Sequence, residues 1–247
     1  MKKIFCTQWQ GIQFSSFNTP TPHILAGASF YNDFYTVWFS KYSGYDQLPS
    51  DWRINKDQIA DWLASLMPSH SRVLSVGCGI GYIEQRLWAK HSDHVDLHVS
   101  DYASVSMDWL RQVVPHERIH DAEHGFDCLG KFDIIYLSAV DYALPNDLLI
   151  PYISCLSNLL NENGQIIIIS ACFIDDSLID GIIHDTKAFA KRVLALIGIR
   201  PLGQFWGWLR SRSEYCKIMR SAKIFNLSDG FLVTPTQKTF WIKGCPK

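Results

Sequence analysis

The chain has 247 residues, with 23 Lys plus Arg against 24 Asp plus Glu and a formal net charge of −1. That length buries a full core as one large domain or two small ones, and 47% apolar residues exclude a disordered chain. No run of about 18 uncharged apolar residues exists, so no ordinary transmembrane helix is expected. The first eight residues carry two lysines but no apolar stretch behind them, so no signal peptide is read. Seven cysteines without a C-x-x-C pair predict reduced thiols in a cytoplasmic setting, with neither a zinc site nor a disulfide scaffold.

Two distributions are uneven. Of 33 aromatic residues, 14 fall in residues 1–68, 9 in 69–171 and 10 in 172–247. Residues 186–223 hold nine basic groups and one acid, Glu214, a local charge of +8. Such a split predicts an anionic partner for that segment, or a solvated helix face.

Taken in chain order, residues 1–50 are aromatic and polar with little clear periodicity. Within them Phe30, Phe34 and Trp38 sit at helical spacing, as do Tyr31, Tyr35 and Tyr42. The first row reads as core. The second carries hydroxyls on apolar bodies, which suits either a lid over a bound molecule or a helix packed on a sheet. Asn55 reads as an N-cap, with Ile59, Trp62, Leu63 and Leu66 on one face of a helix ending before Pro68.

From residue 72 strands and helices alternate. Strands are expected at 72–76, 95–100, 118–120, 132–137 and 165–170, the last with four consecutive isoleucines that suit burial on both faces. Helices are expected at 81–90, at 105–113 behind Ser104, and at 147–160, with Asn163-Gly164 as a turn. Alternation of this kind predicts a parallel α/β sheet with right-handed crossovers. Further on come a basic amphipathic helix over 186–197, a helix over 214–222 capped by Ser213, and two final strands at 224–227 and 238–243 in a hairpin. The expected organisation is an aromatic cap (1–54), a parallel α/β core (55–171), a basic helical insertion with the last core helix (172–223), and closing strands (224–247).

The stretch Val73-Leu74-Ser75-Val76-Gly77-Cys78-Gly79-Ile80-Gly81 joins the first core strand to its helix. Glycines there allow a tight turn and close approach of backbone to a ligand at the carboxyl ends of parallel strands. The spacing is G-x-G-x-G. Neither G-x-G-x-x-G nor a Walker G-K-S/T is present. These residues resemble the class I S-adenosylmethionine-dependent methyltransferase family.

Asp101 after the second strand, Asp121 after the third, the run Phe132-Asp133-Ile134-Ile135-Tyr136-Leu137-Ser138, and Leu159-Leu160-Asn161-Glu162-Asn163-Gly164-Gln165-Ile166 extend the resemblance over roughly residues 55–171. It implies a Rossmann-like, doubly wound, seven-stranded and mostly parallel sheet with an antiparallel last strand. It also implies a site for S-adenosylmethionine at Gly77, Cys78, Gly79, Gly81, Asp101, Tyr102, Asp121, Ala122 and Ser138. Asp101 would bind both ribose hydroxyls, which two carboxylate oxygens suit. Asp121 would accept from the adenine amino group. Ser75 departs from the family, which has an acid there that helps hold the methionine amine, so that amine needs other groups. Arg53 is a candidate for the methionine carboxylate, which a guanidinium fork fits.

For the acceptor side the resemblance points to residues 138–142. Asp141 is a candidate base, or a cap of the following turn, with Tyr142 beside it. Asp175, Asp176 and His184 follow the fifth strand, and His184 is a further catalytic candidate. Tyr31, Tyr35 and Tyr42 are candidates for the lid. Gln204-Phe205-Trp206-Gly207-Trp208-Leu209-Arg210 adds aromatics to the basic segment, which suits an anionic lipid, a phosphate or a glycan. The segment resembles insertions in methyltransferases of polysaccharide and lipid-linked glycan pathways.

The expected function is O-methylation of a small molecule or sugar, with an anionic acceptor or carrier. The expected location is cytoplasmic, with peripheral membrane contact through 186–212. RNA methylation and a non-catalytic binding module are the alternatives, while the absence of an Asn-Pro-Pro-Tyr-like or Pro-Cys motif disfavours DNA.

Overall fold

The computed structural model describes residues 2–14, 17, 25–103, 105–122, 125–175, 186, 190, 193–194 and 203–247. Eleven strands and five α-helices run through them. β1 (Lys2–Cys6), β2 (Gln8–Trp9) and β3 (Ile12–Gln13) precede α1 (Ala28–Lys41) and α2 (Ser50–Leu66). Then come β4 (Ser71–Val76), α3 (Tyr82–His91), β5 (Val95–Asp101), β6 (Ile119–Asp121), β7 (Phe132–Ser138), α4 (Asn146–Ser157) and β8 (Leu160–Ser170). The chain ends with β9 (Gln204–Leu209), α5 (Arg212–Ser221), β10 (Ile224–Val233) and β11 (Lys238–Pro246).

The central sheet has seven strands in the order β10-β11-β8-β7-β4-β5-β6. β4 pairs in parallel with β5 and β7, β5 with β6, and β7 with β8, while β11 runs antiparallel between β8 and β10. This is the doubly wound, Rossmann-like sheet with one reversed strand that the sequence predicts. The side-chain alternation of a strand sorts the core into two layers. Leu74, Ile135, Leu137, Ile166 and Ile168 pack with α4 and α5 on one face. Val73, Ile134, Tyr136, Ile167 and Ile169 pack with α2 and α3 on the other. The isoleucine run is therefore buried on both faces, as its composition implies.

A third cluster lies above the carboxyl ends of the strands. It joins Phe14, Phe30, Phe34 and Trp38 from the first part of the chain to Trp206 of β9. β9 pairs antiparallel with β1, Lys2 opposite Leu209 and Cys6 opposite Gln204, in a separate two-stranded sheet. Most aromatics of the first part of the chain thus gather in one cap with Trp206, while Tyr215, Phe231, Phe240 and Trp241 pack on the sheet. Among the described residues no helix is long and apolar enough to cross a membrane.

Several local expectations differ from the structure. α2 begins at Ser50 behind Pro49, and Asn55 is an interior residue that donates to Thr239 Oγ1 at 3.0 Å rather than a cap. The apolar pattern of 105–113 forms turns and a short 3-10 helix at Leu110–Gln112 instead of an α-helix. Ser104 lies outside the described residues. α4 stops at Ser157, and Asn163-Gly164 belongs to the irregular first part of β8 instead of a free turn. Of the basic helix over 186–197 only four residues are described.

Ser211, and not Ser213, caps α5. Its hydroxyl accepts from the Glu214 N–H, and the Glu214 carboxylate accepts from the Ser211 N–H at 2.9 Å, a complete capping box. Ser211→Ala is expected to lower stability by about 1 kcal/mol, a fall in Tm of about 2–4 °C for a chain of this size. Thermal denaturation followed by circular dichroism measures it.

Candidate active site

β4 ends at Val76, and the chain turns through Gly77, Gly79 and Gly81 with φ of +72°, +57° and +72°. A Cβ on Gly77 would lie 2.3 Å from Val140 Cγ2, and one on Gly79 would lie 2.9 Å from Tyr35 Oη. Conformation and space both require glycine here. The Gly77 and Cys78 N–H groups donate to the Ser100 carbonyl at 2.8 and 2.9 Å. The Gly79 N–H donates to Asp101 Oδ2 at 2.7 Å, and the Ala103 N–H donates to Asp101 Oδ1 at 2.8 Å. Asp101 is buried, and that burial pushes its carboxyl up despite these donors. The carboxylate therefore braces the loop.

A cavity of about 320 Å³ opens beside this loop. Gly77, Cys78, Gly79 and Ser138 form one side of it, and Tyr31, Tyr35 and Trp38 of α1 form another. Trp206 of β9 and Cys6 of β1 line it as well. The Tyr31 and Tyr142 hydroxyls lie 3.0 Å apart, and Tyr142 stacks on Trp206 with 5.9 Å between ring centroids. Burial pushes both tyrosine hydroxyls well above the usual range, so they act as neutral hydrogen-bonding groups. At the end of β7, Ala139 takes φ +58°, a left-handed conformation uncommon for a residue with a side chain. The Ser138 hydroxyl beside it is buried without a hydrogen-bond partner.

The structure brings fewer than half of the residues expected from the sequence onto the cavity wall, and Asp101, behind the loop, is not one of them. Gly77, Cys78, Gly79, Ser138, Tyr31, Tyr35 and Tyr142 line the cavity. Gly81 stands at the start of α3, and Tyr102 stands behind the wall, its ring 5.8 Å from that of Tyr31. Asp121 ends β6, which pairs with Asp101 across the sheet, and neither Asp121 nor Ala122 lines the cavity. Tyr42 lies off the cavity, its hydroxyl donating to the Gln10 carbonyl at 3.4 Å. Arg53 also lies off it, with Nε donating to the Leu48 carbonyl at 3.0 Å. His184 and Asp176 lie outside the described residues.

Asp141 is corrected by its surroundings. It is fully buried, lines no part of the cavity, and accepts from Tyr215 Oη and from Ser170 Oγ at 3.1 Å. Arg210, also fully buried, approaches it to 3.9 Å. The same guanidinium donates to the Asp141 carbonyl at 2.6 Å, to Asn146 Oδ1 at 2.9 Å and to the Leu144 carbonyl. Burial pushes the Asp141 carboxyl up, and the Tyr215 hydroxyl and Arg210 pull it back. Asp141 is therefore the hub of a structural network and is screened from any substrate in the cavity. Nor do the aromatics of 204–210 form a continuous outer surface, because Phe205 and Trp206 are buried, Trp208 is half-buried and Arg210 belongs to this network.

An acid and a base that sequence reasoning missed, Glu84 and Lys56, line the cavity, as does Gln237. Ile83, Glu84 and Leu87 form the inward face of α3, so an acid on that apolar face was the available signal. Ser75 donates to Glu84 Oε1 at 2.6 Å, and Tyr136 Oη donates to the same oxygen at 2.8 Å. Burial raises the Glu84 carboxyl above its ordinary value and pulls the Lys56 ammonium down to about 8.

Arg210→Met is expected to leave Asp141 buried without its cation and to cost about 3–5 kcal/mol, as breaking a buried pair does. Urea denaturation reads the loss directly. A cost near zero would show that Asp141 and its hydroxyl donors hold the turn by themselves.

Comparison with known proteins agrees with this architecture. A model described as a methyltransferase domain matches residues 51–228. Magnesium protoporphyrin IX methyltransferase from Synechocystis, solved with bound SAH, superposes with a TM-score of 0.59 at 16% identity, covering 89% of this chain and 97% of that one. Human N-acetylserotonin methyltransferase in complex with SAM gives 0.56 at 14% identity, covering 90% of this chain and 57% of the other. Mitomycin 7-O-methyltransferase gives 0.54 at 11% identity, covering 79% and 55%. The chain thus spans little more than half of the last two. At these identities the likeness is one of fold. A search of curated protein sequences returns no match. With the family model covering most of the chain and the glycine loop placed at the head of a seven-stranded sheet, the chain belongs to the class I S-adenosylmethionine-dependent methyltransferase family.

Proposed function

We propose that this protein transfers the methyl group of S-adenosylmethionine to a small acceptor with a flat, apolar body, at an oxygen. The observation that carries the reading is the aromatic-walled cavity of about 320 Å³ opening on the glycine loop. Its size falls in the range of small-molecule sites. The residues fit the cofactor. The left-handed glycines let a ligand approach the backbone, Asp101 holds a buried acid at the loop, and Ser138 Oγ and Glu84 Oε2 are buried without partners. When bound, S-adenosylmethionine supplies a methyl group on a sulfonium centre.

The chain's own residues do the rest by position. Cys78, Gly79 and Ser138 set one wall, and Tyr31, Tyr142 and Trp206 set the opposite one. Two ring faces and a hydroxyl pair favour a planar acceptor with one polar group over a bare sugar. Holding two reactants in line accounts for much of the barrier in such a displacement. Among the described residues Glu84 is the sole carboxylate on the cavity wall, and its Oε1 is held by Ser75 and Tyr136. Orientation and exclusion of water therefore carry the reaction in this reading, with an acidic acceptor hydroxyl such as a phenol giving up its proton to solvent. Of the nine basic groups behind the expected anionic carrier and membrane contact, Lys187, Lys191, Arg192 and Arg200 lie outside the described residues, and Arg210 is buried.

Labelled S-adenosylmethionine added to a cell extract with the purified protein is the test. Label is expected in small aromatic or apolar compounds, and label confined to RNA or polysaccharide would overturn the reading. Substitutions are expected to separate the two sides of the site. Asp101→Ala should weaken cofactor binding about 10- to 100-fold by calorimetry, the size of a lost charged hydrogen bond. Tyr142→Phe should leave that affinity within about twofold and lower kcat/KM for the acceptor about tenfold.

A further inference from the structure

The end of the cavity between α2 and α3 holds a facing acid and base to which the methyl-transfer reading assigns no role of their own. Glu84 is 1% exposed, and its Oε1 already accepts two hydroxyl donors. Its Oε2 is buried and has no partner. A buried carboxylate oxygen left unpaired forgoes its water hydrogen bonds without replacement, so this one is poised for a donor that arrives from outside the chain. On the facing wall Lys56 of α2 presents an ammonium 5.6 Å from the centre of the Trp52 ring. One acid and one base thus border the same space three residues beyond Gly81, where the glycine loop becomes α3.

We propose that Glu84 and Lys56 form a clamp for a zwitterionic α-amino acid group, the amino-acid end of the cofactor. Glu84 Oε2 accepts from the ligand's ammonium, and Lys56 donates to its carboxylate. The proposal rests on the cofactor reading above and adds residues to it. A zwitterion suits the pair because the pocket is neutral overall before and after it binds, so no uncompensated charge is buried. The ammonium completes the carboxylate that Ser75 and Tyr136 leave half satisfied. Ser75, standing where the family carries an acid, becomes the residue that orients an acid supplied by the next helix instead.

Isothermal titration with two ligands tests this. S-adenosylhomocysteine carries the amino-acid end, while 5′-methylthioadenosine keeps the nucleoside and thioether and lacks it. Glu84→Gln preserves shape and an acceptor for Ser75, and is expected to weaken S-adenosylhomocysteine about 10- to 100-fold with 5′-methylthioadenosine unchanged within about twofold. Lys56→Met, on a half-buried wall position, should weaken the first ligand about tenfold and spare the second. Wild-type affinity of both variants for S-adenosylhomocysteine overturns the clamp. So does an equal loss of both ligands in both variants, which would mark a role in shaping the pocket. If the unaltered protein binds 5′-methylthioadenosine as tightly as S-adenosylhomocysteine, the clamp fails while the cofactor reading stands. If it binds neither, both fall together.

Discussion

Arg210 sits fully buried where β9 gives way to α5, and the walls of the cavity depend on how its guanidinium is satisfied. Its donors reach the Asp141 and Leu144 carbonyls and the side chain of Asn146, so it holds the turn after β7 and the start of α4. Its backbone donates to the Cys172 carbonyl at 3.2 Å and accepts from the Ile174 N–H at 3.0 Å, which ties in the segment after β8. Through Asp141 it also meets Tyr215 of α5. A buried ion pair seldom adds much net stability over an apolar replacement. Its value here is geometric, because three connections at the carboxyl ends of the strands are fixed to one point. Tyr142 follows Asp141 directly, so the ring that stacks on Trp206 inherits its place from this network.

Around that point the cavity divides into unlike parts. The loop side is backbone and small groups, shaped by three left-handed glycines and a buried aspartate. The cap side is aromatic rings, with Phe14 and Phe34 packed behind the lining Trp9, Tyr31, Tyr35 and Trp38. Rings give large contact area with few torsions to freeze. The third part, between Glu84 and Lys56, is polar and only partly satisfied, which lowers the stability of the empty protein.

The sheet and the glycine loop were legible in the sequence because each rests on local signals. Runs of β-branched residues mark β4, β7 and β8, and G-x-G-x-G marks the turn. The site was legible only where it lies on those elements. Asp141 looked catalytic because the residue after the fourth strand points towards the cleft in this fold, yet its side chain turns into the core, drawn by Tyr215 and Arg210 from 70 residues away. Glu84 was passed over because an acid near a helix start ordinarily faces water and complements the dipole. What told otherwise was the phase of Ile83 and Leu87 around it. The aromatics of 204–209 read as a surface for lipid or phosphate, since their partner strand, β1, has too little pattern to announce itself in five residues.

That pairing of β1 with β9 has a kinetic meaning. Lys2 through Cys6 find their partners at the far end of the sequence, across nearly the whole sheet. Contacts between residues so distant in the chain form late, after local strands and helices have reduced the search. During synthesis the strands β4 to β8 emerge with their crossovers and can dock while the first residues are still unpaired. Trp206 and Cys6 reach the cavity only once β9 has left the ribosome. The glycine-loop side of the site is thus laid down first, and the chamber that would receive an acceptor is closed only when β9 joins β1.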